Sequence, residues 1–205
     1  MRSDNDDTAG PGTPGNAPGR NSDLAHGIGE TPAAIAFIGR SGSGKTTLTV
    51  KVIEELTRRG HRVGSIKHHG HGKFDIDVEG KDSWRHSQAG SVHTVVSSPE
   101  RIASYRWIDH ELECAQIVET MTDVEVVIVE GYKHSGLPSL ELWRSGNPRD
   151  ADAATEPGIL EGEWVIGAVT DMPDIRGIAQ GKLLPCFDFE DVEEICDFIE
   201  MRFLG

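Results

Sequence analysis

The chain has 205 residues, a formal net charge of −14 and three cysteines. This length suits one α/β domain with a sizeable core and is short for two. The negative charge argues against broad binding to nucleic acid or to an anionic membrane surface. The cysteines are not closely paired, no apolar run approaches the length of a membrane span, and the N-terminus has no signal-peptide core. The sequence therefore predicts a cytoplasmic protein.

The chain changes in character near residue 31. Residues 1–30 are rich in glycine, proline, asparagine and aspartate and have almost no apolar anchors. Such a composition cannot offset the entropy lost on ordering, so we predict a disordered, acidic, Gly/Pro-rich tail. Residues 31–205 are expected to form one folded domain.

Strands and helices alternate along this domain. An apolar run at 33–38 predicts a buried strand, and Leu48, Val52 and Leu56 lie on one face of a helix predicted at 45–59. This alternation predicts an α/β fold, with a mostly parallel sheet and helices on both faces. The other predicted elements are strands at 62–68, 91–97, 102–107, 124–129, 139–144 and 165–169, helices at 81–88, 111–121 and 191–203, and a loop at 149–163.

The stretch GRSGSGKT at residues 39–46 fits the phosphate-binding pattern G-x-x-x-x-G-K-[ST] in full. It follows a predicted strand and opens a predicted helix. The glycines let backbone N–H groups turn toward one anion, Lys45 should reach the β- and γ-phosphates, and the Thr46 hydroxyl should bind Mg²⁺. A strand-to-helix turn that merely uses glycine is the alternative, which the complete motif in this context disfavours. We therefore predict a P-loop NTPase fold.

Two acidic residues follow predicted strands. Glu130 ends the run VVIVE, where it could hold Mg²⁺ through water or position an attacking water, or could be a solvated strand terminus. Asp171 ends VIGAVTD. Its carboxylate could accept the two hydrogen bonds that guanine donates from N1–H and its exocyclic amine, or it could cap a helix or turn. The pattern alone leaves the role of Asp171 open.

The segment 66–90, IKHHGHGKFDIDVEGKDSWRHSQAG, is dense in ionisable groups and is predicted to face the nucleotide or a second substrate. His68, His69 and His71 could bind a transition metal, contact phosphates or lie in solvent. No matching set of cysteines accompanies them, so a tight metal site is not expected. The candidate residues of a switch or second-substrate loop are Lys67, His68, Asp77, Lys81, Asp82 and Arg85.

Four motifs together resemble the MobB family, GTP-binding proteins of molybdenum cofactor biosynthesis with a SIMIBI-type P-loop fold. They are GRSGSGKTTL, the 66–90 segment, VIVEGYKH and VTD, and the resemblance runs from about Ala33 to the C-terminus. It implies a P-loop GTP-binding domain at 31–205 that uses GTP and Mg²⁺ and hydrolyses GTP weakly. It also implies a homodimer that acts as an adapter beside other molybdenum cofactor proteins. Chief among these is the MobA-type guanylyltransferase, which joins GMP to molybdopterin.

Carried over by position, the resemblance implies that Glu130 and Thr46 support Mg²⁺ and that Asp171 reads the base. Asp75 becomes a candidate catalytic, metal or switch residue. The chain departs from the family pattern at Glu79, where proline is expected, and at Tyr132, where phenylalanine is usual. The implied phosphate-binding residues are Gly39, Ser41, Gly42, Ser43, Gly44, Lys45, Thr46 and Thr47.

Two other functions are compatible with the same phosphate site. A metallochaperone GTPase would use the KHHGH histidines to carry a metal ion. A small-molecule kinase would need a lid with several arginines, and Arg85, Arg101 and Arg106 are scattered along the chain. We therefore place the kinase third, after the adapter and the metallochaperone.

Overall fold

The computed structural model describes residues 31–70, 76–153 and 158–205. The disordered tail predicted for residues 1–30 lies outside the described residues. In chain order the elements are β1 (Ala33–Gly39), α1 (Lys45–Arg58), β2 (Val63–Lys67), α2 (Asp82–Gln88), β3 (His93–Ser97), β4 (Ile102–Arg106), α3 (Cys114–Val118), β5 (Val126–Glu130), β6 (Ser139–Trp143), a 3₁₀ turn (Pro148–Asp150), β7 (Val165–Thr170), α4 (Pro173–Gly181), β8 (Cys186–Phe187) and α5 (Val192–Phe203).

The central sheet of the described residues has six parallel strands in the order β2-β5-β1-β6-β7-β8. Strand β5 is buried along its whole length, and β1 lies between β5 and β6. Parallel strands end at the same edge, so the residues that follow β1, β2, β5, β6 and β7 are gathered at one carboxyl edge. The predicted α/β fold with a mostly parallel sheet is confirmed.

Helices cover both faces of this sheet, as predicted. Side chains alternate along β1, so Ile35 and Phe37 join the core beneath α1 and α5, while Ala36 and Ile38 pack with α3 on the other face. Helix α4 covers the same face as α3, over Trp143. The result is a three-layer domain in which the sheet is shielded from water on both sides.

Several predicted elements differ from the structure. The helix predicted at 111–121 is shorter, Cys114–Val118, because a capping box between Glu113 and Gln116 starts it late. Helix α4 and strand β8 were not predicted: the helix contains Gly177 and buries only Ile175 and Ala179, and β8 has two residues. Part of the predicted loop at 149–163 forms the end of the 3₁₀ turn.

Strands β3 and β4 form an antiparallel hairpin that is separate from the central sheet. One contact that secures it is the hydrogen bond from the Tyr105 hydroxyl to Asp77 Oδ2, at 2.7 Å. The hairpin and its flanks expose several large apolar side chains close together. We call this set the apolar hairpin surface; it consists of Val92, Val95, Val96, Ile102, Trp107 and Ile108.

None of the helices in the described part of the chain is long and apolar enough to span a membrane. The cysteines are free thiols. Burial raises the pKa of Cys114 to about 11 and that of Cys196 to about 12. These two thiols therefore stay protonated near neutral pH and are poor nucleophiles.

Candidate functional site

The turn between β1 and α1 depends on its glycines. Gly39, Gly42 and Gly44 have backbone φ angles of 151°, 90° and 87°, which residues other than glycine rarely adopt. A Cβ at Gly39 would lie 2.7 Å from the carbonyl oxygen of Leu142, and one at Gly44 would lie 2.8 Å from Nη1 of Arg144. Glycine is thus required in this turn both by the backbone φ angles and by the lack of room for a Cβ. A loop that wraps a phosphate needs such close approach of the backbone.

Lys45 opens α1 and folds back over this turn. Its Nζ donates hydrogen bonds to the carbonyl oxygens of Gly39 at 2.9 Å and Arg40 at 2.7 Å. Burial is the main cause that lowers the pKa of Lys45, while the charges of Glu130 and Asp150 work in the opposite direction. The ammonium is therefore held over the loop by bonds that an anionic ligand can replace.

Thr46 and Glu130 meet beside the loop. The Thr46 hydroxyl donates to Glu130 Oε1 at 2.6 Å. Strand β5 pairs with β1 on one side and β2 on the other, in a register that sets Glu130 opposite Phe37 and Lys67. Glu130 therefore lies at the carboxyl edge, as predicted, and its side chain is 11% exposed.

Lys67 completes this cluster. Its Nζ lies 3.0 Å from Glu130 Oε1 and 3.2 Å from Thr46 Oγ1. One ammonium thus contacts both oxygen atoms that the sequence assigned to Mg²⁺. A hydroxyl and a carboxylate are hard oxygen ligands of the kind Mg²⁺ uses together with nucleotide phosphates, so this donor set fits the ion.

A second group of residues supports the loop from the segment after β6. Asn147 Nδ2 donates to the carbonyl oxygen of Ser41 at 3.2 Å and to Asp150 Oδ2 at 2.8 Å. Asp150 is fully buried and also accepts from the Arg144 amide at 3.2 Å. Sequence reasoning missed Asn147 and Asp150. The available signal was the run Asn-Pro-Arg-Asp, in which a capping asparagine precedes proline at the first turn position.

Asp171 directly follows β7 and is exposed at the carboxyl edge. Ser145 donates to its carboxylate twice, from the amide at 2.7 Å and from the hydroxyl at 2.8 Å. Partial burial acts to raise the pKa of Asp171, but the two Ser145 hydrogen bonds outweigh it and the pKa is lowered. A carboxylate offers about four acceptor positions, so this ionised group retains capacity for further donors.

The predicted loop residues of 66–90 separate into different surroundings. His68 Nε2 lies 2.6 Å from Glu111 Oε1, and the His68 ring stacks on Tyr132 with centroids 4.2 Å apart. Asp77 accepts from Tyr105, Ser83 and the Val78 amide; the Tyr105 bond is the largest cause that lowers the pKa of Asp77.

These contacts give Asp77 a role in fastening the hairpin. Lys81, Asp82 and Arg85 are exposed at and within α2, where Arg85 Nη1 lies 3.8 Å from Asp82 Oδ1. His71 and Asp75 lie outside the described residues. Within the described ranges, no three His, Cys, Asp or Glu side chains are grouped as a metal site.

An open groove of about 670 Å³ lies elsewhere, between α1 and the start of α5. Acidic side chains dominate its lining, which makes it unsuited to phosphate groups. The glycine turn, Lys45 and Thr46 lie instead at the carboxyl edge. The lining residues of the groove are Lys51, Glu54, Glu55, Arg58, Glu190, Asp191, Val192, Glu193 and Glu194.

These features define a P-loop α/β protein. They are a buried strand, a glycine turn, a helix that starts with Lys45 and Thr46, and an acid on the neighbouring strand. Residues 34–160 match the family model of MobB, described as molybdopterin guanine dinucleotide synthesis protein B. The chain therefore belongs to the MobB family.

Curated relatives agree with this assignment, and a solved structure shares the fold. The chain is 34% identical over 169 residues to the molybdopterin-guanine dinucleotide biosynthesis adapter protein of Escherichia coli (strain K12), covering 80% of this chain and 90% of that protein. It is 35% identical to the protein of the same name from Haemophilus influenzae, over 81% of this chain and 86% of that one. The crystal structure of Bacillus subtilis MobB has a similar fold, with a TM-score of 0.64 and 23% identity over 84% of this chain and 99% of that one.

Proposed function

We propose that this chain is a GTP-binding adapter in molybdopterin guanine dinucleotide biosynthesis, with weak GTP hydrolysis. Its family and the printed names of its relatives support the pathway. The observation that carries nucleotide binding is the complete P-loop with Thr46 and Glu130 joined at 2.6 Å beside it. An adapter needs to bind and present a nucleotide, and rapid turnover is not part of that task.

Phosphate binding is assigned to the loop from Gly39 to Thr47. Backbone amides and the N-terminus of α1 attract the anion, and Lys45 exchanges its two carbonyl partners for phosphate oxygens. Thr46 and Glu130 would hold Mg²⁺, which neutralises phosphate charge when bound. With the ion bound, the Glu130 carboxylate would be placed to accept a hydrogen bond from water at this edge, which is consistent with a slow hydrolysis.

Guanine recognition is assigned to Asp171. It lies at the same edge as the P-loop, and its lowered pKa keeps it ionised near neutral pH. Guanine offers two adjacent N–H donors to a carboxylate, whereas adenine presents an acceptor at N1 and cannot supply this pair of donors. When the bound base covers Asp171 and excludes water from it, a charged group without its donors costs a few kcal/mol, which corresponds to about a hundredfold preference.

The partners are proposed from the surface and the family. The apolar hairpin surface includes Ile102, 70% exposed, and Trp107, 64% exposed, and it is suited to a second copy of this chain. We assign the homodimer to this surface. A MobA-type guanylyltransferase is the proposed client of the dimer, and the cytoplasm is its proposed location.

The test is a panel of nucleotide affinities. Equilibrium titrations with GTP, ATP and XTP in Mg²⁺ should give GTP about a hundredfold advantage over ATP. In Asp171→Asn, the amide offers one donor and one acceptor, which suits the 2-oxygen of xanthine, so the preference should move toward XTP. Equal affinity for GTP and ATP in the parent would contradict the proposal. An unchanged GTP preference in the variant would contradict only the assignment of guanine recognition to Asp171.

The metallochaperone alternative is tested in the same preparation. Calorimetric titration of the metal-free protein with Ni²⁺ and Zn²⁺ should show no tight stoichiometric binding, because the sequence around these histidines contains no cysteine and His68 Nε2 lies 2.6 Å from Glu111 Oε1. Sub-micromolar binding that is lost when His68, His69 and His71 are replaced would favour the metallochaperone.

A further inference from the structure

The ammonium of Lys67 occupies an unusual position. Lys67 is the last residue of β2, and its Nζ contacts Glu130 Oε1 at 3.0 Å and Thr46 Oγ1 at 3.2 Å. Neighbouring strands often pair a lysine with a glutamate, and such an ion pair alone would be unremarkable in function. The additional contact with the P-loop threonine distinguishes this lysine, because it places a positive charge between the two proposed Mg²⁺ ligands.

The hydrogen-bond directions support this interpretation. Thr46 donates its hydroxyl proton to Glu130, so its oxygen lone pairs are left to accept from Lys67. The three groups form a closed set in which one cation satisfies both oxygen ligands. The same lone pair of Thr46 would be required by a metal ion. Lys67 and Mg²⁺ therefore need the same atoms.

Both cations cannot stay in this position together. Placing a divalent ion within bonding distance of an ammonium creates strong repulsion between like charges. The Lys67 side chain is 59% exposed, whereas that of Glu130 is 11% exposed, so the lysine is the partner that is free to leave. Its backbone is fixed in β2, and the His68 amide next to it donates to the Glu130 carbonyl at 2.9 Å.

We propose that Lys67 is a built-in substitute for the metal ion: it neutralises Glu130 and donates a hydrogen bond to Thr46 in the metal-free protein, and it gives up these contacts when Mg²⁺ binds with the nucleotide. This inference rests on the proposed function, because it uses the nucleotide-linked Mg²⁺ site assigned there. It makes Lys67 a positioning residue of that site. It also links metal binding to the end of β2, where the 66–90 segment begins.

The exchange predicts a reciprocal effect between Lys67 and Mg²⁺. Without metal, Lys67 supplies the cation near the phosphates, so Lys67→Met should weaken GDP binding in EDTA. With saturating Mg²⁺ the lysine no longer occupies this position, so the same variant should bind GDP at least as tightly as the parent does. The ratio of GDP affinities with and without Mg²⁺ should therefore rise about tenfold in Lys67→Met. Lys67→Arg keeps the charge and should stay close to the parent.

The matched control is Lys182→Met. Lys182 also pairs with a glutamate, Glu161, at 3.3 Å, but it follows the C-terminus of α4, at the opposite edge of the sheet. Fluorescent GDP titrations of all four proteins in EDTA and in Mg²⁺ give the ratios. An unchanged ratio in Lys67→Met overturns the proposal, since the contact is then an ordinary ion pair. An equal loss of affinity in both buffers also overturns it, because Lys67 is then a permanent phosphate ligand.

Mn²⁺ separates this proposal from the proposed function. Electron paramagnetic resonance measures Mn²⁺ binding to the nucleotide-free protein, and Lys67→Met should bind it about tenfold more tightly because the competing ammonium is gone. If the parent binds no guanine nucleotide, the proposed function fails. The Mn²⁺ titration alone then tests whether Lys67 exchanges with a metal ion. Equal Mn²⁺ affinity in parent and Lys67→Met contradicts the exchange.

Discussion

The carboxyl edge of the sheet and the β3–β4 hairpin differ in how their side chains are stabilised. At the edge, Thr46, Glu130 and Lys67 bond to one another at the end of β5, a strand that is buried along its whole length. On the hairpin, Val95 and Ile102 are 50% and 70% exposed. At the edge, these described side chains thus satisfy one another within one chain, whereas the hairpin offers apolar surface that another molecule can cover.

The largest effect should come from breaking the edge at Gly39. In Gly39→Ala the new Cβ would meet the Leu142 carbonyl oxygen at 2.7 Å, at a φ of 151°. We expect nucleotide binding to be lost and the free energy of unfolding to fall by about 3 kcal/mol. Chemical denaturation and GTP titration measure the two effects.

Gly60 provides the matched control for that change. It also has a positive φ, 100°, but a Cβ there meets nothing within 4 Å. Gly60→Ala should cost about 1 kcal/mol from backbone strain and leave GTP affinity unchanged. Equal effects of the two substitutions would show that the close approach to Leu142 is unimportant for the loop.

Glu130→Gln should separate hydrolysis from binding at the same edge. The amide keeps the size of the side chain and removes its charge, so GTP hydrolysis should fall about thirtyfold while GTP affinity changes less than about threefold. Single-turnover hydrolysis and equilibrium titration provide the comparison. Glu125→Gln is the control, because Glu125 precedes the amino end of β5 and accepts from the Arg62 amide. If Glu130→Gln hydrolyses GTP as fast as the parent, Glu130 only ends strand β5 and has no role in hydrolysis.

Replacing Ile102 of the hairpin by serine should weaken association between two copies of the chain and leave folding stability nearly unchanged. Ile102 is 70% exposed in the single chain, so its loss should hardly change folding stability. If a second copy covers it, the dimer dissociation constant should rise about tenfold. Sedimentation equilibrium measures this, with Leu183→Ser, 92% exposed and remote from the hairpin, as control. Identical association of both variants would place the interface elsewhere.

The smallest effect concerns acid stability, away from both regions. Hydrogen bonds from Arg58 and Arg59 lower the pKa of Glu55 to about 2, from an ordinary value of 4.5. A carboxyl whose pKa is lowered by folding stabilises the fold above about pH 4.5, and this contribution is lost as the pH falls toward 2. Arg59 also joins α1 to Asp197 and Glu200 of α5.

The corresponding experiment compares melting temperatures of the parent and Arg59→Met between pH 5 and pH 3. The variant should melt lower at pH 5, and its further loss on acidification should be smaller than that of the parent by about 2 °C. Parallel decline of both proteins would show that Arg59 does not set the acid response. Calorimetric scans at closely spaced pH values provide the measurement.

Much of the site was predictable because its signals are local. The P-loop is one contiguous motif, and Glu130 ends the most apolar run of the chain, so each could be assigned without knowing the strand order. The contact of Lys67 with Thr46 depends on β2 lying next to β5, which the sequence does not display. Support of Ser41 by Asn147 has the same origin, since it joins residues 106 positions apart.

The fold was predictable where hydrophobic patterns were long. Strand β5 and helix α1 have strong apolar patterns and were located closely. Helix α4 buries only two side chains and β8 has two residues, so neither has a detectable period. The hairpin strands were predicted, but their exclusion from the central sheet follows from pairing between β3 and β4, which is a tertiary property.

The central claim is that Lys45 binds the phosphates of GTP, and Lys45→Ala tests it most directly. The account predicts that GTP affinity falls at least about a hundredfold, while the melting temperature stays within about 2 °C of the parent. Lys182→Ala, at the opposite edge of the sheet, should match the parent in both respects. Undiminished GTP affinity in folded Lys45→Ala would contradict the account.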